Sequence, residues 1–262
     1  MSDRRQRQKE QRKAKRAAER KAAQRSELYR RLVTGLIFGA IVIAIFVLPG
    51  LIGTNDSGLP RSYADYRSQP TACGAEAPPP ETPMTYTEPV PQGDITPTSS
   101  VTATVATSCG EIVIELDAAN FPATVNSFVF LAREGFYDGQ VFHRVVEDFV
   151  IQGGDPEANG TGGPGYVIED EFPEGDFEFS EGIVAMANRG ARSTGSQFFI
   201  VIGDRAQFLV PGFNILGTIA SGGETLDKIA AIETGVAPGS VERSLPLESV
   251  YIESITISVD GS

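Results

Sequence analysis

The sequence predicts a mainly β domain: a closed eight-stranded antiparallel β-barrel capped by two α-helices, preceded by a single transmembrane helix and a Pro-rich tether. Three observations predict this arrangement. Residues 32–52 carry no charge, residues 53–100 are rich in Pro, Thr and Ser without a regular period, and residues 101–262 contain short strand-like segments, the first two of which alternate apolar and polar side chains. About eight such segments with two helical ones in one domain are typical of a barrel capped at its ends.

Charge is divided unevenly along the 262 residues, whose formal net charge is −12. Residues 1–31 contain thirteen Lys or Arg and four Asp or Glu, so the rest of the chain has 22 − 13 = 9 basic and 34 − 4 = 30 acidic residues. Phosphate binding needs clustered Lys and Arg, so this acidic body argues against a nucleic-acid partner. Two cysteines and one histidine are too few for a disulfide scaffold or a zinc site.

Residues 1–31 and 32–52 are interpreted as a basic cytoplasmic tail and a transmembrane anchor. An uncharged stretch of this length crosses a hydrocarbon core of about 30 Å at about 1.5 Å per residue. The preceding Lys and Arg predict a cytoplasmic N-terminus and an extracytoplasmic body in a single-pass protein of the cell membrane. A cleaved signal peptide is the rival interpretation, but its basic region would be unusually long and no small-residue cleavage site follows. A nucleic-acid-binding arm is the rival for the tail.

Residues 53–100 are predicted to be an extracytoplasmic linker, extended and semi-rigid, that holds the body away from the membrane. A Pro-rich docking ligand is the alternative. Cys73 lies in this linker and Cys109 in the first hairpin of the body, both on the side of the membrane where disulfides persist. We predict a Cys73–Cys109 disulfide that joins linker to body, the alternative being two unpaired or separately paired thiols.

Two helices are predicted in the body, one opened by Asn120-Phe121-Pro122 and ended by Gly135, the other over Gly223–Glu233. Period-2 alternation predicts the first hairpin, and short apolar segments predict the later strands. Strands are predicted at residues 101–107, 111–117, 182–187, 197–202, 213–219 and 250–259, with two more within 141–156.

The usual signatures of catalysis and metal binding are weak. His143, the single histidine, is next to Arg144 in a strand without a G-x-S-x-G turn, which favours packing over general-base chemistry. The loop Gly153–Gly165 has no G-K-[ST], so it is no P-loop. It begins like a calcium loop, but its twelfth position is Tyr166 rather than Glu. No cofactor or metal is predicted.

A set of polar and apolar residues spread over several strands would come together on one barrel face. The aromatic and Leu side chains would form a shallow apolar pocket rimmed by Arg, Gln and Asn donors, suited to an amide-bearing ligand with an apolar ring. Core aromatics with unrelated surface polar groups are the alternative. The set comprises Arg144, Phe149, Gln152, Ala187, Asn188, Gln197, Phe199, Leu209 and Phe213.

Four blocks, FHRVVEDFVIQGGDP, NGTGGPG, AMANRG and TGSQFFI, resemble the signature blocks of the cyclophilin-type peptidyl-prolyl cis-trans isomerases in order and spacing. The resemblance covers roughly residues 101–259. It implies an eight-stranded antiparallel barrel with two capping helices, rotation of X–Pro bonds and no cofactor. The layout as a whole is similar to that of membrane-tethered bacterial members.

By this resemblance, Arg144 matches the family's catalytic arginine, Phe149 the aromatic of the proline pocket, and Gln152 the glutamine that binds the substrate backbone. Six more residues match the substrate-binding set: Met186 beside the pocket, Ala187 and Asn188 along the peptide before proline, Gln197 behind the arginine, Phe199 at the pocket floor and Leu209 at its wall. Phe213 occupies a seventh substrate-binding position.

Three positions depart from the family pattern. Val150 replaces a frequent Met and enlarges the pocket. Phe213 replaces His or Tyr and removes one polar contact. Phe208 stands where many eukaryotic members have Trp, which predicts against tight cyclosporin binding. The predicted partners are proline-containing peptides and unfolded exported proteins, and the alternative function is a proline-peptide-binding or chaperone-like module with little turnover.

Overall fold

The computed structural model describes residues 59–80, 84–175, 177–237 and 240–260. The predicted cytoplasmic tail and transmembrane anchor lie outside these residues. Within the described part, no helix has the length and apolar character needed to cross a membrane.

All eight predicted strands are present. Strands β1 and β2 alternate buried with more exposed side chains, whereas β4, β5 and β6 are short apolar runs buried on both faces. Eight of the ten strands form one antiparallel sheet in the order β10-β1-β2-β7-β5-β6-β4-β3. The strands are β1 Ser100–Thr107, β2 Gly110–Leu116, β3 Arg144–Val146, β4 Val150–Gly153, β5 Ile183–Met186, β6 Phe198–Val201, β7 Ile215–Ser221, β8 Thr234–Val236, β9 Arg243–Pro246 and β10 Ile252–Asp260.

The main sheet is open, so the prediction of a closed barrel is wrong. Its edge strands β10 and β3 do not pair with each other, and an isolated bridge between Val141 and Tyr251 lies where closure would occur. The chain before β3 meets β10 at its start, where three main-chain hydrogen bonds join residues 139–142 to residues 250–252. Among the described residues the two edges form no ladder beyond this point.

A second, two-stranded sheet of β8 and β9 was not predicted. It follows the last helix, and β9 packs beside β3. The segment leading into β9 therefore lies next to the edge of the main sheet that carries Arg144.

Three α-helices are described: α1 Tyr63–Arg67, α2 Pro122–Arg133 and α3 Gly223–Ala230. Helices α2 and α3 are the two predicted ones. Helix α2 begins at Pro122, whose missing N–H is no loss in the first turn. Helix α3 ends three residues before the predicted Glu233, because the chain enters β8 there.

Alternate residues of β5 and β6 face two different apolar clusters, as strand geometry requires. Met186 and Phe198 belong to the main core, together with the buried face of α2. Ala185 and Phe199 belong to a second cluster on the other side of the sheet. The half-buried side chains of Phe149, Leu209 and Phe213 adjoin this second cluster, so a ligand can reach it.

Residues 59–80 fold onto the body, so the extended-spacer prediction does not hold for them. Tyr66 in α1 is fully buried, and the main-chain N–H of Ala72 donates to the carbonyl of Ser249 (3.0 Å). Cys73 and Cys109 form the predicted disulfide. Burial of a large aromatic side chain in water-excluding surroundings outweighs the extended preference of the Pro-rich chain.

The next part of the predicted linker also contacts the body. The ring of Tyr86 meets that of Phe130 edge-on at 5.0 Å, and the N–H of Gln92 donates to Asn126 Oδ1 (2.7 Å). Both partners lie on α2. The segment from 84 to 98 is thus a packed strap over the helix.

Candidate active site

Four residues form a row across the sheet on the side of the second apolar cluster. Arg144 in β3 pairs with Gln152 in β4, Gln152 pairs with Phe199 in β6, and Phe199 pairs with Ala185 in β5. Residues directly opposed across strands project to the same side of a sheet. Residues far apart in sequence are thereby placed on one continuous surface.

Arg144 makes hydrogen bonds through all three guanidinium nitrogens. Its Nε donates to Oε1 of Glu242 (2.9 Å) and its Nη2 to Oε2 of Glu242 (3.0 Å), while its Nη1 donates to Oε1 of Gln152 (3.2 Å). The Arg144 and Glu242 side chains are only 12% and 16% exposed. The guanidinium carbon also lies 5.5 Å from the ring centroid of Phe149, a cation–π geometry.

Gln152 and Gln197 continue this hydrogen-bonded chain behind the arginine. The amide Nε2 of Gln152 donates to Oε1 of Gln197 (3.0 Å), and Nε2 of Gln197 donates to the carbonyl of Gly162 (2.9 Å). Gln197 therefore supports the arginine through its hydrogen bond to Gln152. Among hydrogen bonds between described residues, one N–H of the Gln152 amide is left for a ligand.

The aromatic side chains form an apolar surface beside this polar row. The ring of Phe213 meets that of Phe199 edge-on at 5.3 Å and that of Phe179 at 6.0 Å. Phe199 is nearly buried and serves as a floor, whereas Phe149, Leu209 and Phe213 are half-buried. The side chains at the edge can thus contact a small apolar ring placed over Phe199.

Ala187 and Asn188 lie at the end of β5, next to the row. The N–H of Ala187 donates to the carbonyl of Gln197 (2.8 Å). The side chain of Asn188 is fixed, since Nδ2 donates to the carbonyl of Gly212 (2.8 Å) and Oδ1 accepts from the N–H of Gly190 (3.1 Å). Within the described ranges, no hydrogen bond uses the main-chain groups of Asn188, which leaves them available to an extended peptide.

Comparison with known proteins identifies this arrangement. The family profile described as "Cyclophilin type peptidyl-prolyl cis-trans isomerase/CLD" matches residues 102–257. This chain belongs to the cyclophilins. Peptidyl-prolyl cis-trans isomerase B of Streptomyces anulatus is 40% identical over 173 residues, which are 59% of this chain and 95% of that protein. Peptidyl-prolyl cis-trans isomerase A of Mycobacterium tuberculosis is 41% identical over 183 residues, which are 62% and 94% of the two chains.

Solved structures agree with the fold. A crystal structure of a Cryptosporidium parvum cyclophilin-type isomerase has a TM-score of 0.55 and 27% identity, over 62% of this chain and 99% of that chain. The same protein in the presence of the dipeptide Ala-Pro has a TM-score of 0.54 and 28% identity, over 60% and 98% of the chains. This cyclophilin is therefore a peptidyl-prolyl cis-trans isomerase, like its relatives at about 40% identity.

Met186 is the one predicted site residue that the structure places away from the pocket. Its side chain is fully buried in the main core, opposite Phe198. Because Ala185 faces the second cluster, its neighbour Met186 must face the other way. The predicted contact with substrate is corrected to a packing role beneath the site, which the alternation of Gly182–Ala187 would have indicated.

His143 is buried beside the arginine and is not placed for proton transfer. Neither ring nitrogen has a hydrogen-bond partner among the described residues. Burial lowers the pKa of His143 to about 4, with Asp155 opposing and Arg144 adding to that shift. The ring is thus neutral at pH 7 and closed off from a ligand, in agreement with the predicted packing role.

Sequence reasoning missed Glu242, which is separated from Arg144 by 98 positions and belongs to none of the four blocks. It also missed Glu171, which accepts hydrogen bonds from the N–H groups of Ala123 (3.0 Å) and Thr124 (2.7 Å) at the start of α2. Buried Asn214 links the same region, since its Oδ1 accepts from the N–H of Glu171 (2.9 Å). Local capping of a helix is signalled by the spacing S/T-x-x-E, which is absent at the start of α2. Glu171 reaches this helix from a distant loop, so no local pattern reveals it.

Proposed function

We propose that this cyclophilin rotates X–Pro bonds in exported proteins, outside the cytoplasm and tethered to the cell membrane by its N-terminal segment. The uncharged residues 32–52 behind the basic tail support a membrane anchor of that orientation. The Cys73–Cys109 disulfide supports the extracytoplasmic location, because such bonds persist in oxidising compartments.

The reaction requires rotation about a bond with a barrier of ~20 kcal/mol, which arises because the nitrogen lone pair is delocalised into the carbonyl. Twisting the X–Pro bond localises that pair on nitrogen. A guanidinium N–H directed at the nitrogen stabilises the twisted state more than either planar isomer. Such a mechanism requires neither a general base nor a covalent intermediate.

The row Arg144–Gln152–Phe199 is the observation that carries this assignment. The apolar surface of Phe199 and its aromatic neighbours holds the proline ring, and the main chain at Asn188 binds the peptide that precedes it. Gln152 donates its remaining N–H to a peptide carbonyl. Arg144 sits at the boundary between the polar row and the ring of Phe149, where the X–Pro nitrogen would lie.

The role of Arg144 is tested on the full chain in mild detergent, with a proline-containing tetrapeptide as substrate. We expect Arg144→Ala to lower kcat/KM by about a hundredfold or more, the size of effect seen when one transition-state donor is removed. Arg205→Ala is the matched control, because the exposed Arg205 also lies over Phe149, at 5.7 Å, but outside the row. Near-wild-type turnover by the Arg144 variant would refute the assignment.

The location is tested separately with reporters fused to the C-terminus, one active only after export and one only in the cytoplasm. We expect activity from the export-dependent reporter alone. Activity of the cytoplasmic reporter alone would overturn the proposed orientation and leave the assignment of Arg144 unaffected.

A peptide-binding module with little turnover is the second candidate. Two observations favour it: Glu242 occupies two nitrogens of Arg144, and Phe213 lacks the polar group that the resemblance implies at its position. Calorimetric binding of the tetrapeptide without acceleration of its isomerisation would support this candidate over the enzyme.

A further inference from the structure

Glu242 holds the guanidinium of Arg144 from the side opposite Gln152. Two hydrogen bonds of 2.9 and 3.0 Å join the carboxylate to Nε and Nη2. The pair is mostly withdrawn from solvent, with exposures of 12% and 16%. A two-point arginine–carboxylate contact of this kind fixes the plane of the guanidinium as well as its position, unlike an ordinary surface ion pair.

The main chain places Glu242 for this contact. Its N–H donates to Oγ of Ser240 (3.0 Å), and β9 begins at the next residue and packs beside β3. The neighbouring Val241 is 93% exposed, so the chain turns Glu242 inward where Val241 points to solvent. The carboxylate is therefore presented to Arg144 by a folded segment.

The contacts leave a defined part of the guanidinium for a ligand. Arginine has five N–H hydrogens. Hydrogen bonds between described residues use three of them, two with Glu242 and one with Gln152. One hydrogen on Nη1 and one on Nη2 remain, at the end of the side chain. If Glu242 were removed, the Arg144 side chain would be held by Gln152 and by the face of the Phe149 ring. A long side chain held at fewer points samples several rotamers.

We propose that Glu242 is a positioning residue of the isomerase reaction: it fixes the Arg144 guanidinium so that its remaining N–H hydrogens face the X–Pro nitrogen. The inference rests on the proposed role of Arg144. Glu242 should contribute more to stabilising the transition state than to binding the substrate, since the nitrogen of a planar X–Pro bond is a poor hydrogen-bond acceptor. Loss of Glu242 should thus lower kcat and leave KM nearly unchanged.

The opposite possibility follows from the same contact. If substrate had to displace the carboxylate to reach Nε and Nη2, Glu242 would be a competitor, and removing it would raise kcat/KM. The two possibilities predict changes of opposite sign.

The test compares Glu242→Gln, Glu242→Ala and Glu242→Asp in the full chain with the wild type. Glu248→Gln is the matched control, because it removes the same charge from an exposed residue of the same segment. Isomerisation at saturating peptide gives kcat, and titration gives the affinity. We expect Glu242→Ala to lower kcat roughly tenfold to a hundredfold, as misplacement of a reacting group by about 1 Å does. Affinity should change less than twofold, Glu242→Asp should recover part of the loss, and Glu248→Gln should match the wild type.

Two further measurements separate positioning from a purely structural role. The Nε–H resonance of Arg144 should be sharp in the wild type and in Glu248→Gln, and lost to exchange in Glu242→Gln. In the Arg144→Ala background, Glu242→Ala should change turnover less than twofold, because its effect passes through the arginine.

Unchanged or increased kcat in folded Glu242 variants would overturn this inference alone, as would equal losses in the presence and absence of Arg144. A wild-type chain without turnover would overturn the proposed function and this inference together.

Discussion

The hydroxyl group of Tyr66 donates a 2.8 Å hydrogen bond to the main-chain carbonyl of His143, the residue directly before Arg144. Tyr66 belongs to α1, which precedes the residues matched by the cyclophilin profile, 102–257. An element outside the residues matched by the family profile is thus bonded to the residue directly before the strand that carries the arginine.

Tyr66→Phe should destabilise the fold by about 1 to 3 kcal/mol, because it leaves a buried carbonyl without its donor. Urea unfolding of the oxidised chain measures this. Tyr86→Phe is the control, since among hydrogen bonds between described residues the Tyr86 hydroxyl makes one, to the weak acceptor Sδ of Met84 (3.3 Å). It should cost less than about 0.5 kcal/mol. Equal stabilities of the two variants would show that the Tyr66 hydrogen bond contributes little.

The disulfide should stabilise the fold mainly by restricting the unfolded chain. Cys73 and Cys109 are 36 residues apart, a loop for which chain entropy predicts about 3 to 4 kcal/mol. Replacing both cysteines by Ser should lower the free energy of unfolding by that amount and make it insensitive to reductant. If reductant leaves the unfolding of the wild type unchanged, the disulfide is not a stabilising element.

Much of the sheet could be predicted because the signals of strands are local. Strands β1 and β2 alternate apolar and polar residues, whereas β4, β5 and β6 are short apolar runs, and both patterns can be seen within one segment. Closure of the sheet was mispredicted because it depends on how far the two edge strands run alongside each other. That length is decided by tertiary packing, so no alternation within one segment reveals it.

The site residues also divide into those with a local sequence signal and those placed by tertiary packing. Arg144, Gln152 and Phe199 lie in blocks that carry the family resemblance, and strand pairing brings them into one row. Glu242 and Tyr66 act on the same arginine strand from distant parts of the chain, and neither has a local signature. A single buried Tyr in a Pro-rich stretch produces no periodicity, so pattern analysis could not separate it from the linker.

His143 should make the protein less stable as the pH falls. Burial lowers its folded-state pKa from the ordinary 6.5 to about 4. Between these values the unfolded chain binds a proton that the folded chain does not, so stability is present above pH 6.5 and is lost as the pH falls toward 4. The loss attributable to His143 should be about 2 kcal/mol between pH 7 and pH 5.

His143→Gln isolates this contribution, because it removes the imidazole and leaves every carboxylate of the chain in place. Urea unfolding at several pH values should show a shallower decline for the variant than for the wild type. Parallel curves would mean that His143 is protonated as easily in the folded state as in the unfolded chain.

Cyclosporin should inhibit this cyclophilin weakly, and Phe208→Trp should strengthen the inhibition. Phe208 is 60% exposed and directly precedes Leu209 at the pocket wall, so it is open to a large ligand. Phe has no counterpart to the indole N–H of Trp, which is a hydrogen-bond donor. One recovered hydrogen bond of about 1 to 1.5 kcal/mol corresponds to a roughly fivefold to tenfold lower inhibition constant. The inhibition constant is measured from the inhibition of peptide isomerisation by cyclosporin. Val210→Trp is the control, since Val210 is an exposed apolar residue two positions away from Phe208. If both Trp variants gain equally, added apolar area and not the N–H at position 208 governs cyclosporin affinity.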